Sequence, residues 1–370
     1  MSEQVSRRTL LGAATGLVAA GLAGRSAAGT DEVDRLFRTG IIIDGNLAAP
    51  LDDSAPLDAE MAAKVRASGL TATKVTVVGP GAGYDEAVAT LAACGKAVTL
   101  SAGVYAVARS IADIEALRGS GRVGLIWSFE TTEMLEGRLD RIDEFAALGV
   151  KVMQLSYNTA SPFASGVMTP QSTGLTSLGR EAIARMEAHG VALDLSHSDE
   201  RSSLEALATA TRPAMISHAG AAAIHNHPRN KSDRLLKAVA DAGGVVGIYD
   251  LSYLTPGPAQ PDVEDYMRHL MHALNVCGED HVGIGSDAVL SGFDTSAESL
   301  KQWDASTAAR KAAGVAAPDE GRPPYVEGLN RPDRMKVIAA QLLSRGVREP
   351  AVAKILGGNF LRVYRQSWTA

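Results

Sequence analysis

From residue 41 onward, short apolar runs alternate with longer stretches of helix-forming composition. The runs are 41–46 (IIIDGN), 71–79 (TATKVTVVG), 123–130 (VGLIWSFE), 150–158 (VKVMQLSYN), 191–197 (VALDLSH), 213–218 (PAMISH), 244–250 (GVVGIYD) and 281–287 (HVGIGSD). Near-continuous apolar character marks strands covered on both faces, and intervening segments such as REAIARMEAH and RSSLEALATA suit helices. Eight such units predict an α/β architecture, an eightfold parallel β/α barrel. A ninth run, 97–105, ends without an ionisable residue and is excluded from the barrel. An open doubly wound sheet is the alternative, but no glycine-rich phosphate fingerprint follows the first strand. Residues 292–330, polar and containing Gly and Pro, read as a loop or insertion over the last strand. The chain then closes in amphipathic helix through MKVIAAQLLSRG and EPAVAKILGGNFLRVYRQ, a C-terminal helical extension.

Four of these runs end on metal-ligand residue types: Glu130, His197, His218 and Asp287. In a parallel β/α barrel the carboxyl ends of different strands converge on one mouth, so residues far apart in sequence can share one ion. The competing readings are plain ones. A histidine at a strand end can be a hydrogen-bonded structural group, Asp287 can cap the next helix, and Glu133 and Glu136 follow Glu130 closely. Asp194 is read as structural or as a support behind the site, and His225, His227, His269, His272 and His281 as structural.

Composition narrows the picture modestly. The chain has 370 residues, 46% hydrophobic and 21% charged, which is ordinary for a globular protein and within the range of one barrel domain. A net charge of −6 gives no footprint for a polyanion, so nucleic acid is not an expected partner. Cys94 and Cys277, each inside an apolar segment, read as buried small hydrophobes. The segment SRRTLLG, Ser6 to Gly12, places paired arginines before an apolar stretch from Leu10 to Leu22, followed by Ser26, Ala27 and Ala28. This is similar to a twin-arginine export signal, and the stretch is short of the ~20 residues needed to span a bilayer. The expectation is a signal over 1–28, a single catalytic domain over 29–370, export to the periplasm, and no stable membrane span after signal removal.

The segments GLTSLGREAIARMEAHGVALDLSHSD, PAMISHAGAAAIHNHPRN, HVGIGSD and ILGGNFLRVYR, in that order, resemble those of the renal (membrane) dipeptidase family across most of the mature chain. The resemblance implies an eightfold barrel, usually dimeric, with two zinc ions that activate a bridging water for dipeptide hydrolysis. By that comparison Glu130 matches the bridging carboxylate, and His197 and His218 match the histidines of the second metal. Arg229, in HPRN, matches the arginine that holds the substrate carboxylate, a task its planar fork suits better than a surface ion pair would require. Asp287 matches the catalytic acidic residue near the attacking water and leaving amine.

The departures from the family pattern carry as much information. Where the family has His-x-Asp after the first strand, this chain has Asn46 and Ala48. Alanine supplies no ligand, and an amide oxygen is a poor zinc ligand beside imidazole or carboxylate. Tyr157, in LSYN, stands where the family has a substrate-facing histidine, and Asp287 is followed by Ala288, Val289 and Leu290 instead of Phe-Asp-Gly. Lys74 lies within an otherwise apolar strand, where an unpaired ammonium would be costly. A solvated barrel rim would explain it; alternatively, it faces the mouth, partly replaces the missing ion and holds an anionic group or substrate. Asn46, Lys74, Tyr157 and Arg229 are therefore the expected substrate-binding residues.

What remains is one carboxylate and two histidines with room for exchangeable ligands. The expected cofactor is one divalent metal, with zinc suited to activating water and iron the alternative, because the set also has the composition of a non-haem iron triad. The leading expectation is a metal-dependent, dipeptidase-like hydrolase of a small anionic amide or dipeptide, weak on ordinary dipeptides. A repurposed single-metal lyase or oxidoreductase is the runner-up, and a binding protein without catalysis the third. A homodimer is implied by the resemblance alone.

Overall fold

Each of the eight apolar runs contains a strand. In the computed structural model, which describes residues 31–369, these are β1 (Ile43–Asp44), β2 (Ala72–Thr76), β3 (Val123–Phe129), β4 (Val150–Gln154), β5 (Ala192–Asp194), β6 (Met215–Ala219), β7 (Val245–Ile248) and β8 (Val282–Ile284). They pair in parallel in chain order. The Gly45 amide donates to the Ile284 carbonyl at 2.8 Å and brings β8 back to β1, so the sheet forms a nearly closed β/α barrel. The export signal expected over 1–28 lies outside the described residues. Among the described residues, no helix is long and apolar enough to cross a membrane.

The ninth run resolves into two elements. Residues 97–100 finish the helix Tyr84–Leu100, and Tyr105–Val107 pairs with the first half of β3 without joining the barrel circuit. Helices between the strands start at side-chain caps, such as Thr176 before Ser177–Ala188, Asp199 before Glu200–Thr209 and Ser232 before Asp233–Asp241. Each cap side chain accepts an amide hydrogen that the first helical turn would otherwise leave unpaired. Cys277 is buried and Cys94 partly exposed, and neither forms a disulfide; the expectation of two buried cysteines holds for Cys277 alone.

The barrel interior is built in layers. At the amino-terminal end, Ile43, Ala72, Ile126, Val152, Ala192, Met215 and Val245 form one apolar cluster with Phe360, Val363 and Tyr364 of the helix Asn359–Ser367. The C-terminal extension thus plugs the barrel floor. Gly283 makes room for the plug, since a Cβ there would lie 2.5 Å from the Phe360 ring. Two residues further along five of these strands come Lys74, Ser128, Gln154, Asp194 and Ser217, all buried. Side chains two apart share a strand face, so the apolar floor is succeeded by a polar layer under the mouth.

Above the mouth, Leu47–Ala48 pairs with Ala288–Val289, and the insertion after β8 contains a helix, Ala297–Ala312. The register between β6 and β7 shifts between Ile216 and Ala219, immediately around His218. Such bulges re-aim side chains beside functional sites. The Ser217 carbonyl crowds inward there, and only a glycine fits opposite: a Cβ at Gly247 or Gly285 would lie 2.0 or 1.8 Å from that oxygen.

Candidate metal centre and active-site mouth

Glu130, His197 and His218 converge at the carboxyl end of the barrel, with ligand atoms all within 4.8 Å of one another. The two Nε2 atoms stand 3.1 Å apart. Two nitrogens sharing a tetrahedral zinc at ordinary bond lengths would be separated by about 3.3 Å. Glu130 Oε2 lies 3.8 Å from His197 Nε2, and Oε1 lies 3.9 Å from His218 Nε2. Burial, followed by the positive charge of Arg229, holds both imidazoles well below the usual histidine range, so they are neutral and present lone pairs.

The surroundings choose which nitrogen carries the proton. Ser217 Oγ donates to Asp194 Oδ2 at 2.5 Å, and therefore accepts from His218 Nδ1 at 2.8 Å. His218 Nε2 is thereby left free as a ligand atom. Asp194 is held by the Ser196 and Ser217 amides, each at 3.0 Å, and acts behind the site as expected. His197 Nδ1 has Asn158 Oδ1 at 2.8 Å, an acceptor that favours the same tautomer, and Arg229 Nη1 at 2.9 Å, a competing donor. Only one of these can be satisfied at a time.

On the other side of Glu130 the chemistry reverses. The Asn46 amide nitrogen donates to Glu130 Oε1 at 2.8 Å and to Asp287 Oδ1 at 2.7 Å. Asp287 has φ +54°, an uncommon conformation outside glycine although more tolerable for Asp, and its amide donates to the Asn46 carbonyl at 2.7 Å. The strained backbone and that bond aim the carboxylate across the mouth, with Oδ2 3.8 Å from His218 Nε2. Burial, then the charge of Glu130, pushes the Asp287 carboxyl up to about 8.

Lys74 is fully buried, with its ammonium 3.7 Å from Glu130 Oε1, 3.5 Å from Asp194 Oδ2 and 3.4 Å from Ser128 Oγ. The expectation that it could hold substrate needs correction in place. As part of the inward layer below the mouth, it is screened from the cavity and touches protein carboxylates. Asn46 is likewise buried between two carboxylates and does not line the cavity.

The cavity above the centre has a volume of about 320 Å³ and is lined by Tyr157, Arg229, Tyr253, Asp287, Trp303 and Arg310, among others. Arg229 is buried, and its Nε and Nη2 have no protein hydrogen-bond partner among the described residues. His227 fixes its backbone by accepting the Arg229 amide and bonding the Pro318 carbonyl of the insertion. Tyr157 stacks on His197 with ring centroids 4.1 Å apart, and its hydroxyl accepts from Arg310 at 3.1 Å. Burial pushes that phenol up to about 12, so it remains neutral. Arg310 in turn pairs with Glu320.

Sequence reasoning missed Asn158, Ser217, Arg310 and Glu320. Asn158 follows Tyr157 directly and its amide could have been suspected. The others had no local signal. Glu133 and Glu136, the rivals of Glu130, face other partners: Glu133 accepts from the Gly81 amide, and Glu136 pairs with Arg141. Of the histidines read as structural, His227, His269, His272 and His281 have side-chain hydrogen-bond partners, including His269 with the Ala221 amide and Leu254 carbonyl and His272 with Asp233.

Residues 30–311 and 306–370 match the sequence model of the membrane dipeptidase family, peptidase family M19. An uncharacterized protein from the pqqA 5′ region of Klebsiella pneumoniae is 30% identical over 72% of this chain and 91% of its own length. Dipeptidase tcpJ of Claviceps purpurea is 27% identical over 69% of this chain, a match that spans 53% of the fungal protein. The chain therefore spans about half the length of that curated relative. Among solved structures, an amidohydrolase from Pseudomonas aeruginosa superposes with a TM-score of 0.80 at 29% identity, covering 91% of this chain and 99% of the other.

Proposed function

Because the chain belongs to the membrane dipeptidase family, we propose that it is a metal-dependent hydrolase of a small amide bearing a carboxylate, working with one divalent ion. The observation that carries this reading is the meeting of Glu130, His197 and His218 beside Arg229, which lines the cavity and has two buried nitrogens with no protein partner among the described residues. A guanidinium in such a place incurs a desolvation cost that an anionic ligand would offset.

The donor set fits one ion and not two. Glu130, His197 and His218 would hold it, whereas beyond Glu130 the Asn46 side chain presents an N–H and Ala48 has no ligand atom to offer. When bound, zinc would supply Lewis acidity and lower the pKa of a water at the centre. The remaining tasks fall to this chain's own groups. Arg229 anchors the substrate carboxylate. Asp287, aimed across the mouth with Oδ2 3.8 Å from His218 Nε2, is placed to take a proton as water attacks the amide carbon and to return it to the nitrogen as the C–N bond breaks. Tyr157 can direct its hydroxyl hydrogen into the cavity, since its oxygen already accepts from Arg310. It offers a neutral donor to developing negative charge, weaker than the cation a protonated histidine would give. Ordinary dipeptides should accordingly be cut slowly.

The paired arginines and apolar stretch at the amino terminus support export to the periplasm as a further part of this reading. Amino-terminal sequencing of periplasmic protein should find cleavage near residue 29. For the activity, purified protein of measured metal content is assayed on dipeptides and N-acyl amino acids, before and after chelation and zinc return. About one zinc per chain and chelator-sensitive amide cleavage are expected. Iron as the bound metal would turn the reading toward lyase or oxidoreductase chemistry, no metal toward a binding protein, and efficient dipeptide cleavage would defeat the altered specificity.

A further inference from the structure

Two nitrogen donors converge on one oxygen of Glu130. The Asn46 amide reaches Oε1 at 2.8 Å and the Lys74 ammonium stands 3.7 Å from the same atom. Oε2 has no hydrogen-bond donor among the described residues and faces His197. The carboxylate is thus divided, one oxygen committed to the Asn46 donor and the Lys74 charge and the other left for the imidazole side. Asn46 also bridges to Asp287, while Lys74 also stands 3.5 Å from Asp194. Three carboxylates are tied together by an amide and an ammonium, with Lys74 having no access to solvent.

We propose that Lys74 and Asn46 act together as a built-in cation, occupying the place and charge of a second metal ion and restricting the centre to one. The proposal rests on the reading of Glu130, His197 and His218 as a metal centre. Lys74 supplies a fixed positive charge beneath Glu130, and Asn46 spans the gap between Glu130 and Asp287 with N–H groups directed at the oxygens an ion would need. A second divalent ion would have to displace those hydrogens and sit within a few ångströms of a buried ammonium, where repulsion is weakly screened. Lys74 is in this sense a positioning residue: it acts through Glu130 and does not touch substrate.

The experiment is a zinc titration of the full mature chain by calorimetry, with bound metal counted by elemental analysis and located by anomalous diffraction. Wild type is compared with Asn46→His/Ala48→Asp and with the same pair carrying Lys74→Gln, which keeps a polar side chain but removes the charge. One zinc is expected in wild type and in the double variant, any second site in the latter being weaker on the order of 10³-fold. Two are expected in the triple variant. Two zinc ions in the double variant, with Lys74 present, would overturn the role of Lys74 and leave the one-ion reading of the natural protein standing. A triple variant that still binds one would also overturn it. Two ions in wild type would defeat both the proposal and the one-ion reading. Should that triple variant not fold, Asn46→His/Ala48→Asp carrying Lys74→Met takes its place, with two zinc ions required and a single ion counting against the proposal.

Discussion

The two sides of Glu130 are built from opposite hydrogen-bonding chemistry. On one side, His197 and His218 are neutral, their Nδ1 atoms are addressed by Asn158 and Ser217, and their Nε2 lone pairs meet 3.1 Å apart. On the other, Asn46 directs hydrogens at Glu130 and Asp287, and the Lys74 ammonium stands in ion-pair range of Glu130 and Asp194. Lone pairs converging on a point attract a cation. Hydrogens converging on carboxylates do its work without one. One barrel mouth thus contains an acceptor half suited to an ion and a donor half suited to exclude a neighbour, and the difference arises from a few side chains on the same backbone frame.

The strongest way to break this comparison is to remove a lone pair from the acceptor half. His197→Ala or His218→Ala should abolish metal retention and lower turnover on the order of 10³-fold or more, read by elemental analysis beside the amide assay. Full activity in the His218 variant would rule out the site. Next in size is Arg229→Ala, which should raise KM by about 10–100-fold with a much smaller change in kcat, because a charged hydrogen bond to the bound ground state is lost. A comparable fall in kcat with unchanged KM would place Arg229 in the chemical step instead.

Ser217→Ala probes the support behind His218 and should weaken zinc affinity by about 10-fold, measured by chelator competition, since the imidazole loses the partner that fixes its tautomer. Unchanged affinity would show that the Asp194–Ser217 arrangement does not tune the ligand. The effect furthest from the centre concerns stability and Lys231, buried and donating to the Ser198 carbonyl at 2.8 Å, whose ammonium burial pushes down to about 7. Its folded pKa lies below the unfolded value near 10.5, so stability is fully present above about 10.5 and declines as pH falls toward 7. The unfolded chain binds the proton that the folded chain resists. Urea melts of wild type and Lys231→Met from pH 7 to 10 should differ in slope by no more than about 1.4 kcal/mol per pH unit. Parallel slopes would refute the shift.

The barrel was legible in the sequence because each strand is covered on both faces, and such strands are written as local apolar runs. All eight runs contain the strands of the circuit, including one as short as Ile43–Asp44. The run 97–105 stays outside the circuit as expected, but its division into a helix end and a short strand was not legible, since both are apolar and periodicity over so few residues does not separate them. Strand ends also marked Glu130, His197, His218 and Asp287, and the motif around Arg229 marked the guanidinium. The Asn46 and Ala48 departures are legible in the sequence as well, and the one-ion proposal begins from them.

Sequence alone could not say where the Lys74 ammonium goes. A lysine in an apolar strand reads equally as a rim residue or a buried ion, and the choice depends on carboxylates 56 and 120 positions away in the chain. The same holds for Ser217, whose role comes from Asp194 on the neighbouring strand, and for Arg310 and Glu320, brought over the mouth by an insertion with weak amphipathic patterning. The sequence by itself determined the strands, their order and the chemical types at their ends, because burial on a repeating backbone leaves a local pattern. Only the tertiary structure decided which oxygen meets which hydrogen, because charge pairing and tautomer choice depend on distances of a few ångströms between residues the chain keeps far apart.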